Sequence, residues 1–139
     1  MNAKEVLAEL SVLDGYGGIL IPEFTWGDCR IDAIVINTRR RTIRGFEIKV
    51  TRADYIGDKK WQKYSEFCST LAIACPEGLI KHEEVLNPFG LLYVTTGYRR
   101  VEWIKRPIDL QDGGHSLAWL YTYVKVLELE FARMKYDMV

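Results

Sequence analysis

The chain has 139 residues, 48% hydrophobic and 27% charged, with 19 basic and 19 acidic side chains that leave no net charge. These are the proportions of an ordinary globular domain, long enough for one good core and without an apolar run of membrane-spanning length. They exclude attraction of nucleic acid by bulk positive charge, so a polyanionic partner would have to be held by a local basic patch.

Residues 2–13 predict a helix, because Val6, Leu7, Leu10 and Leu13 recur at helical spacing before Gly15, Gly17 and Gly18 end the pattern. The same segment carries acids and lacks a signal peptide's apolar centre, which points to the cytoplasm. GGILIPEFTW reads as a short strand, and RIDAIVIN (30–37), the turn NTRRRT and IRGFEIKV (43–50) read as a hairpin. A second helix is expected from a cap at Asp58 through Cys68, with Trp61, Tyr64 and Cys68 on one side. TLAIAC suits a buried strand broken by Pro76. Beyond a loop with His82 and Pro88, GLLYVT and RRVEWI predict two further strands. Leu117, Leu120, Tyr121, Val124, Leu127, Phe131 and Met134 mark a long amphipathic helix starting near Ser116. The order predicts one α/β domain over 1–139, a central sheet covered by helices.

Cys29, Cys68 and Cys75 form no CxxC pair and are odd in number, as expected of reduced core thiols. His82 and His115 have no second ligand nearby, which argues against zinc, and no GxSxG nucleophile motif occurs.

The segment FEIKV, residues 46–50, poses a sharper problem. Side chains alternate across a strand, so Glu47 and Lys49 share one face roughly 6.6–7 Å apart, while Phe46, Ile48 and Val50 take the other. On the preceding strand Asp32 is expected to share a face with Ile34 and Ile36, away from Ile31, Ala33 and Val35. A tight turn at Arg39 and Arg40 pairs Asn37 with Thr42, and hence Asp32 with Glu47, at roughly 5 Å between Cβ atoms. Facing carboxylates repel unless a cation joins them, and hard oxygen ligands suit Mg²⁺ or Mn²⁺. Lys49 is then placed to orient a water and offset charge on a phosphate. The bland alternative is a salt-bridged patch on an exposed sheet face.

Asp32, 14 intervening residues and Glu47-Ile48-Lys49, on consecutive strands after an N-terminal helix, look like the core of the PD-(D/E)XK nuclease superfamily, with Ile31 in place of the motif's leading proline. PEFTWGDCRIDAIVIN, GFEIKVTRADYIGDKKWQKYSEFCSTLAIACPEG, GLLYVT and HSLAWLYTYVKVLELEFAR together resemble the MmcB-like DNA repair protein family, itself regarded as nuclease-like. The most specific part is EIKVTRAD followed by DKKWQKY and Cys68. The resemblance implies a restriction-endonuclease-like core, a central mixed β-sheet flanked by helices, in a DNA-repair context. By it Asp32, Glu47 and Lys49 match the metal and catalytic positions, and Glu23 occupies the place of a preceding acid. Glu5 and Glu9 on the first helix are alternatives for that third acid.

Lys59, Lys60 and Lys63 form a basic face after the motif, suited either to phosphate or to solvent. Arg52 would contact DNA or join Asp54 and Asp58 in a structural ion-pair network. Arg39, Arg40, Arg41 and Arg44 gather at the hairpin tip, and Arg99, Arg100, Lys105 and Arg106 flank Trp103. Nothing resembles a base-reading helix or zinc finger, so recognition directed by DNA structure is expected. The expected function is a Mg²⁺- or Mn²⁺-dependent DNA endonuclease or nuclease-like repair protein, with the Ile48 carbonyl as a further metal ligand. The alternatives are a noncatalytic DNA-binding or protein-interaction module on the same fold, and a domain whose charged strand face docks a partner. Cutting both strands with one site per chain would favour a homodimer.

Overall fold

Asn2 sits in extended backbone and its side chain accepts the Glu5 N–H at 2.9 Å, capping helix α1 over Ala3–Leu10. The computed structural model describes residues 1–13, 18–55, 61–96, 101–110 and 115–137. After α1 come strands β1 (Gly18–Trp26), β2 (Cys29–Asn37) and β3 (Thr42–Ile48), then short helices α2 (Arg52–Tyr55) and α3 (Trp61–Tyr64). Strand β4 (Thr70–Pro76), a 3₁₀ turn at His82–Glu84, strands β5 (Gly90–Val94) and β6 (Val101–Lys105), and helix α4 (His115–Asp137) complete the order. The strands form one mixed six-stranded sheet in chain order. β3, β4 and β5 run parallel to one another, and the outer pairings are antiparallel.

The hairpin at the centre has the register the sequence predicts. Asn37 pairs with Thr42, and the ladder continues to Ala33 opposite Phe46. Asn37 is buried because its side-chain oxygen is spent on the turn, accepting the Arg39 and Arg40 N–H groups at 3.0 and 2.8 Å. β4 is apolar along its whole length because both faces are covered. One face lies under α1, whose Val6 and Leu10 pack with Val35, Phe46 and Leu92. The other is closed by Tyr64, Phe67, Cys68 and Val126 over Ile34, Ile36, Ile43 and Leu71. Pro76, expected to break the strand, is its last residue, paired with Val94.

Two expected elements differ. Of the helix predicted from Asp58 to Cys68, the described part ends at Tyr64, whose carbonyl accepts the Phe67 and Cys68 N–H groups, so Cys68 reaches the core on a turn. Asp58, Lys59 and Lys60 lie outside the described residues, as does the side chain of Trp61. In α4, the apolar stripe is turned outward: Leu120, Val124, Leu127, Phe131 and Met134 are 47–67% exposed. Trp119 and Tyr123, stacked with centroids 5.1 Å apart, pack on the sheet beside the buried Thr122 and Val126.

Candidate active site

β2 and β3 part company just beyond Ala33 and Phe46. β2 goes on pairing with β1 as far as Cys29, and β3 with β4 as far as Ala74. The next rung between them would set Asp32 opposite Glu47. Instead the half-buried Asp32 carboxylate accepts the Ile48 N–H at 2.8 Å through Oδ2, replacing a backbone partner with a side chain. Such a bond draws the Asp32 side chain into the gap between two strands.

The same point explains a departure from simple alternation. Ile19 and Ile21 pack in one core cluster, yet so do Phe24 and Trp26; on β2, Ile34 and Ile36 are joined by Ile31 and Cys29. Both strands turn over at one rung, and the ladder passes over Glu23 and Asp32 with its register sum unchanged. Glu23 carries φ of 53°, the left-handed region that ordinary residues enter only under constraint. The expectation that Asp32 lies with Ile34 and Ile36, away from Ile31, is therefore corrected. Ile31 has crossed to their side.

Backbone geometry adds a ligand atom. The Lys49 N–H donates to the Ala74 carbonyl at 3.0 Å, toward β4. In a planar trans peptide the carbonyl of the preceding residue points the opposite way, so the Ile48 C=O faces the gap on the β2 side. That ladder bond also keeps the chain extended past β3, leaving the half-buried Lys49 on the same side as Glu47. Glu47 itself is only 6% exposed and follows Ile43 and Gly45 on the face that holds Cys68. Burial, the neighbouring Cys29 and then the Glu47 charge push the Cys68 thiol well up, so it stays protonated.

The fork thus brings the Asp32 carboxylate onto the backbone of Ile48, the residue between Glu47 and Lys49, on the side to which the Ile48 carbonyl points. The donor set is hard oxygen without histidine, which fits Mg²⁺ or Mn²⁺, ions that commonly use one or two carboxylates and retain water. Among the described residues no three of His, Cys, Asp and Glu gather into a metal-holding group. Glu23 is exposed and pairs with Arg30 at 2.6 Å. Glu5 and Glu9 ride on α1, which covers the Phe46 face, whereas Glu47 is on the other.

The basic residues are distributed differently. Arg40 and Arg41 are exposed at the far end of the hairpin, about six or seven residues or roughly 20 Å from the fork. Lys63 binds Asp28 at 2.9 Å beside the β1–β2 turn, which raises its pKa and lowers that of Asp28. Arg52 donates to the Leu79 carbonyl at 3.0 Å and to both oxygens of Glu84, tying α2 to the 3₁₀ turn. Lys60, Arg99, Arg100 and the Asp54 side chain lie outside the described residues. Lys105 donates to the Val85 carbonyl, and Arg106 stands 5.4 Å over Trp103.

Glu84, which no sequence motif singles out, completes the clamp by accepting the Lys81 N–H at 2.7 Å. The Arg52 hydrogen bond, followed by that N–H, holds its carboxyl down at about 2, against an ordinary 4.5. A depressed carboxyl contributes stability that is complete above the unfolded value and lost as pH falls toward the folded one. Glu84→Gln is therefore expected to lower Tm at pH 7, with the gap to wild type closing as pH falls from 4.5 toward 2. Thermal scans across that range check it; a gap that is constant with pH would rule out the clamp.

The fold defines an α/β protein with a mixed sheet in which β2 and β3 part where Asp32 binds the Ile48 N–H. Neither a protein-family model nor a curated protein matches the chain. A solved structure described as SPO1766, a protein of unknown function from Silicibacter pomeroyi, is similar over 99% of this chain and 92% of its own. The TM-score is 0.73 and the identity 22%, a likeness of fold. Among the described residues no helix is long and apolar enough to cross a membrane.

Proposed function

We propose that this chain is a nuclease of the PD-(D/E)XK type, related to the MmcB-like DNA repair proteins, that hydrolyses phosphodiester bonds in DNA with a divalent cation. The observation that carries this reading is the fork: Asp32 bound to the Ile48 N–H at 2.8 Å, beside a buried Glu47 and with Lys49 following. Asp32, Glu47 and the Ile48 carbonyl would hold Mg²⁺ or Mn²⁺, which when bound supplies charge neutralisation for a pentacovalent phosphate. Asp32 does two tasks, keeping the strands at their spacing through one oxygen and offering the other as a ligand. Lys49 positions the attacking water by hydrogen bonding and balances negative charge that grows on the phosphate oxygens. The exposed Arg40 and Arg41 lie far enough away to track the backbone of a duplex without touching the scissile bond.

A second reading, a noncatalytic DNA-binding module on this fold, draws on Glu23, which is paired with Arg30 and supplies no third acid. One screen separates the two. Duplex, nicked, branched and single-stranded DNA are incubated with the protein and Mn²⁺, beside Lys49→Ala. The nuclease reading expects product from wild type alone. Equal product from Lys49→Ala overturns it, and salt-sensitive binding without product under any metal supports the module instead.

A further inference from the structure

The outward face of α4 has a regular pattern. Leu120, Val124, Leu127, Phe131 and Met134 follow one another at intervals of 4, 3, 4 and 3 residues, and Leu117 extends the series by 3 on the N-terminal side. An average of 3.5 is the heptad repeat of a coiled-coil seam, narrower than the stripe a helix gives a globular core. The described members are 53%, 47%, 48%, 67% and 60% exposed in that order. Val124, Leu127, Phe131 and Met134 line a shallow groove edged by Glu128 and Glu130.

The helix gives the sheet a costlier face. Trp119 Nε1 and Thr122 Oγ1 are buried there without a hydrogen-bond partner among the described residues. Burying such groups opposes folding. A helix with the sheet as its sole partner would gain by turning the cleaner apolar stripe inward. Two partners, one for each face, account for the arrangement.

We infer that this stripe is the seam of a parallel two-stranded contact with a second copy of the same chain. Charge selects both the occupant and its direction. In a parallel pair, the residue flanking one seam position faces the residue five places on in the other strand. Glu130, 4.0 Å from Arg133 of its own helix, then meets Lys135 of the second copy, and by symmetry the pair forms twice. An antiparallel pair would set Glu130 near Tyr123 and leave Lys135 without that carboxylate. The area also suffices. Half-exposed side chains of this size lose roughly 70–150 Å² each when covered, so the seam and its flanks remove about 600–800 Å² per chain, near the ~800 Å² per partner of a standard interface. The contact stands whether or not the chain cleaves DNA.

Sedimentation equilibrium on the full chain at about 50 µM, where even a micromolar Kd populates the complex, should give the dimer mass. Leu127→Glu, at an exposed position, should give monomer with an unchanged circular dichroism spectrum. Glu130→Lys should weaken association at least about tenfold, and adding Lys135→Glu should restore it. The three native thiols are buried, so Met134→Cys reports direction cleanly: mild oxidation should cross-link it in a parallel pair. A wild-type monomer at 50 µM, a dimer that survives Leu127→Glu, or a dimer that Met134→Cys does not cross-link would each overturn the inference.

Discussion

Asp32→Asn is expected to leave the protein folded and abolish the proposed cleavage, while Asp32→Ala should lose that cleavage and stability together. The separation follows from the two tasks of one carboxylate. Asparagine keeps a side-chain oxygen able to accept the Ile48 N–H, now bound at 2.8 Å, so the fork retains its closing bond. It removes the negative charge, and with it the main attraction for a divalent cation. Losing several kcal/mol of transition-state charge stabilisation corresponds to a rate loss of at least ~10³-fold, at about 1.4 kcal/mol per decade. Alanine takes away the acceptor as well. A partly buried N–H left unbonded costs about 1–3 kcal/mol, which for a chain of this size lowers Tm by roughly 3–12 °C. Thermal scans and a Mn²⁺ cleavage assay on the three proteins test both halves. Cleavage by Asp32→Asn at the wild-type rate would remove Asp32 from the chemistry, and equal Tm values for the Asn and Ala variants would remove it from the fork.

The sequence makes the hairpin legible because its determinants are local. Asn37 is a turn former next to a β-rich run, and once it pairs with Thr42 the constant sum of an antiparallel ladder carries Asp32 to the level of Glu47. What happens at that level is not local. The turnover of both strands depends on the backbone at Glu23, in β1, and on capture of a carboxylate by an N–H sixteen residues further on. Pattern reading assigns Asp32 to a face; the structure puts it between strands. Long-range charge pairing escapes sequence for a related reason. Arg52 binds Glu84, thirty-two residues away, because the crossover from β3 brings α2 alongside the 3₁₀ turn. The orientation of α4 is not legible in the sequence, because its aromatic side and its heptad side are both apolar. Gly45 gives no signal in sequence at all, since a glycine in a strand is informative only when its neighbours are known.

Those neighbours make Gly45→Ala a disruptive methyl addition in the sheet. A Cβ at this position would lie 2.7 Å from Cys68 Sγ, 2.7 Å from Ile31 Cδ1 and 2.8 Å from Leu71 Cδ2. All three side chains are at most 1% exposed and come from different parts of the chain, so the added carbon meets packed side chains on three sides. Overpacking of this kind costs typically 1–3 kcal/mol, and the gain of about 0.4–1 kcal/mol from a stiffer unfolded chain offsets only part of it. A fall in Tm of roughly 3–10 °C is expected. Ile31→Val removes the clashing Cδ1 carbon but leaves the contacts with Cys68 and Leu71; alone it should destabilise by about 0.5–1.5 kcal/mol, yet in the Gly45→Ala background it should cost less than that or recover part of the lost stability. A double-mutant cycle measured by urea unfolding checks this, and simple additivity would mean that the crowding at Gly45 is not what sets the cost. The consequence extends to the fork. Glu47 is the next residue on Gly45's face, and Cys68, which the added methyl would displace, is close enough to Glu47 to feel its charge. In the proposed nuclease the carboxylates must be held to within a fraction of an ångström, so Gly45→Ala should reduce cleavage beyond the fraction unfolded, and Ile31→Val should recover part of the activity and of the stability together.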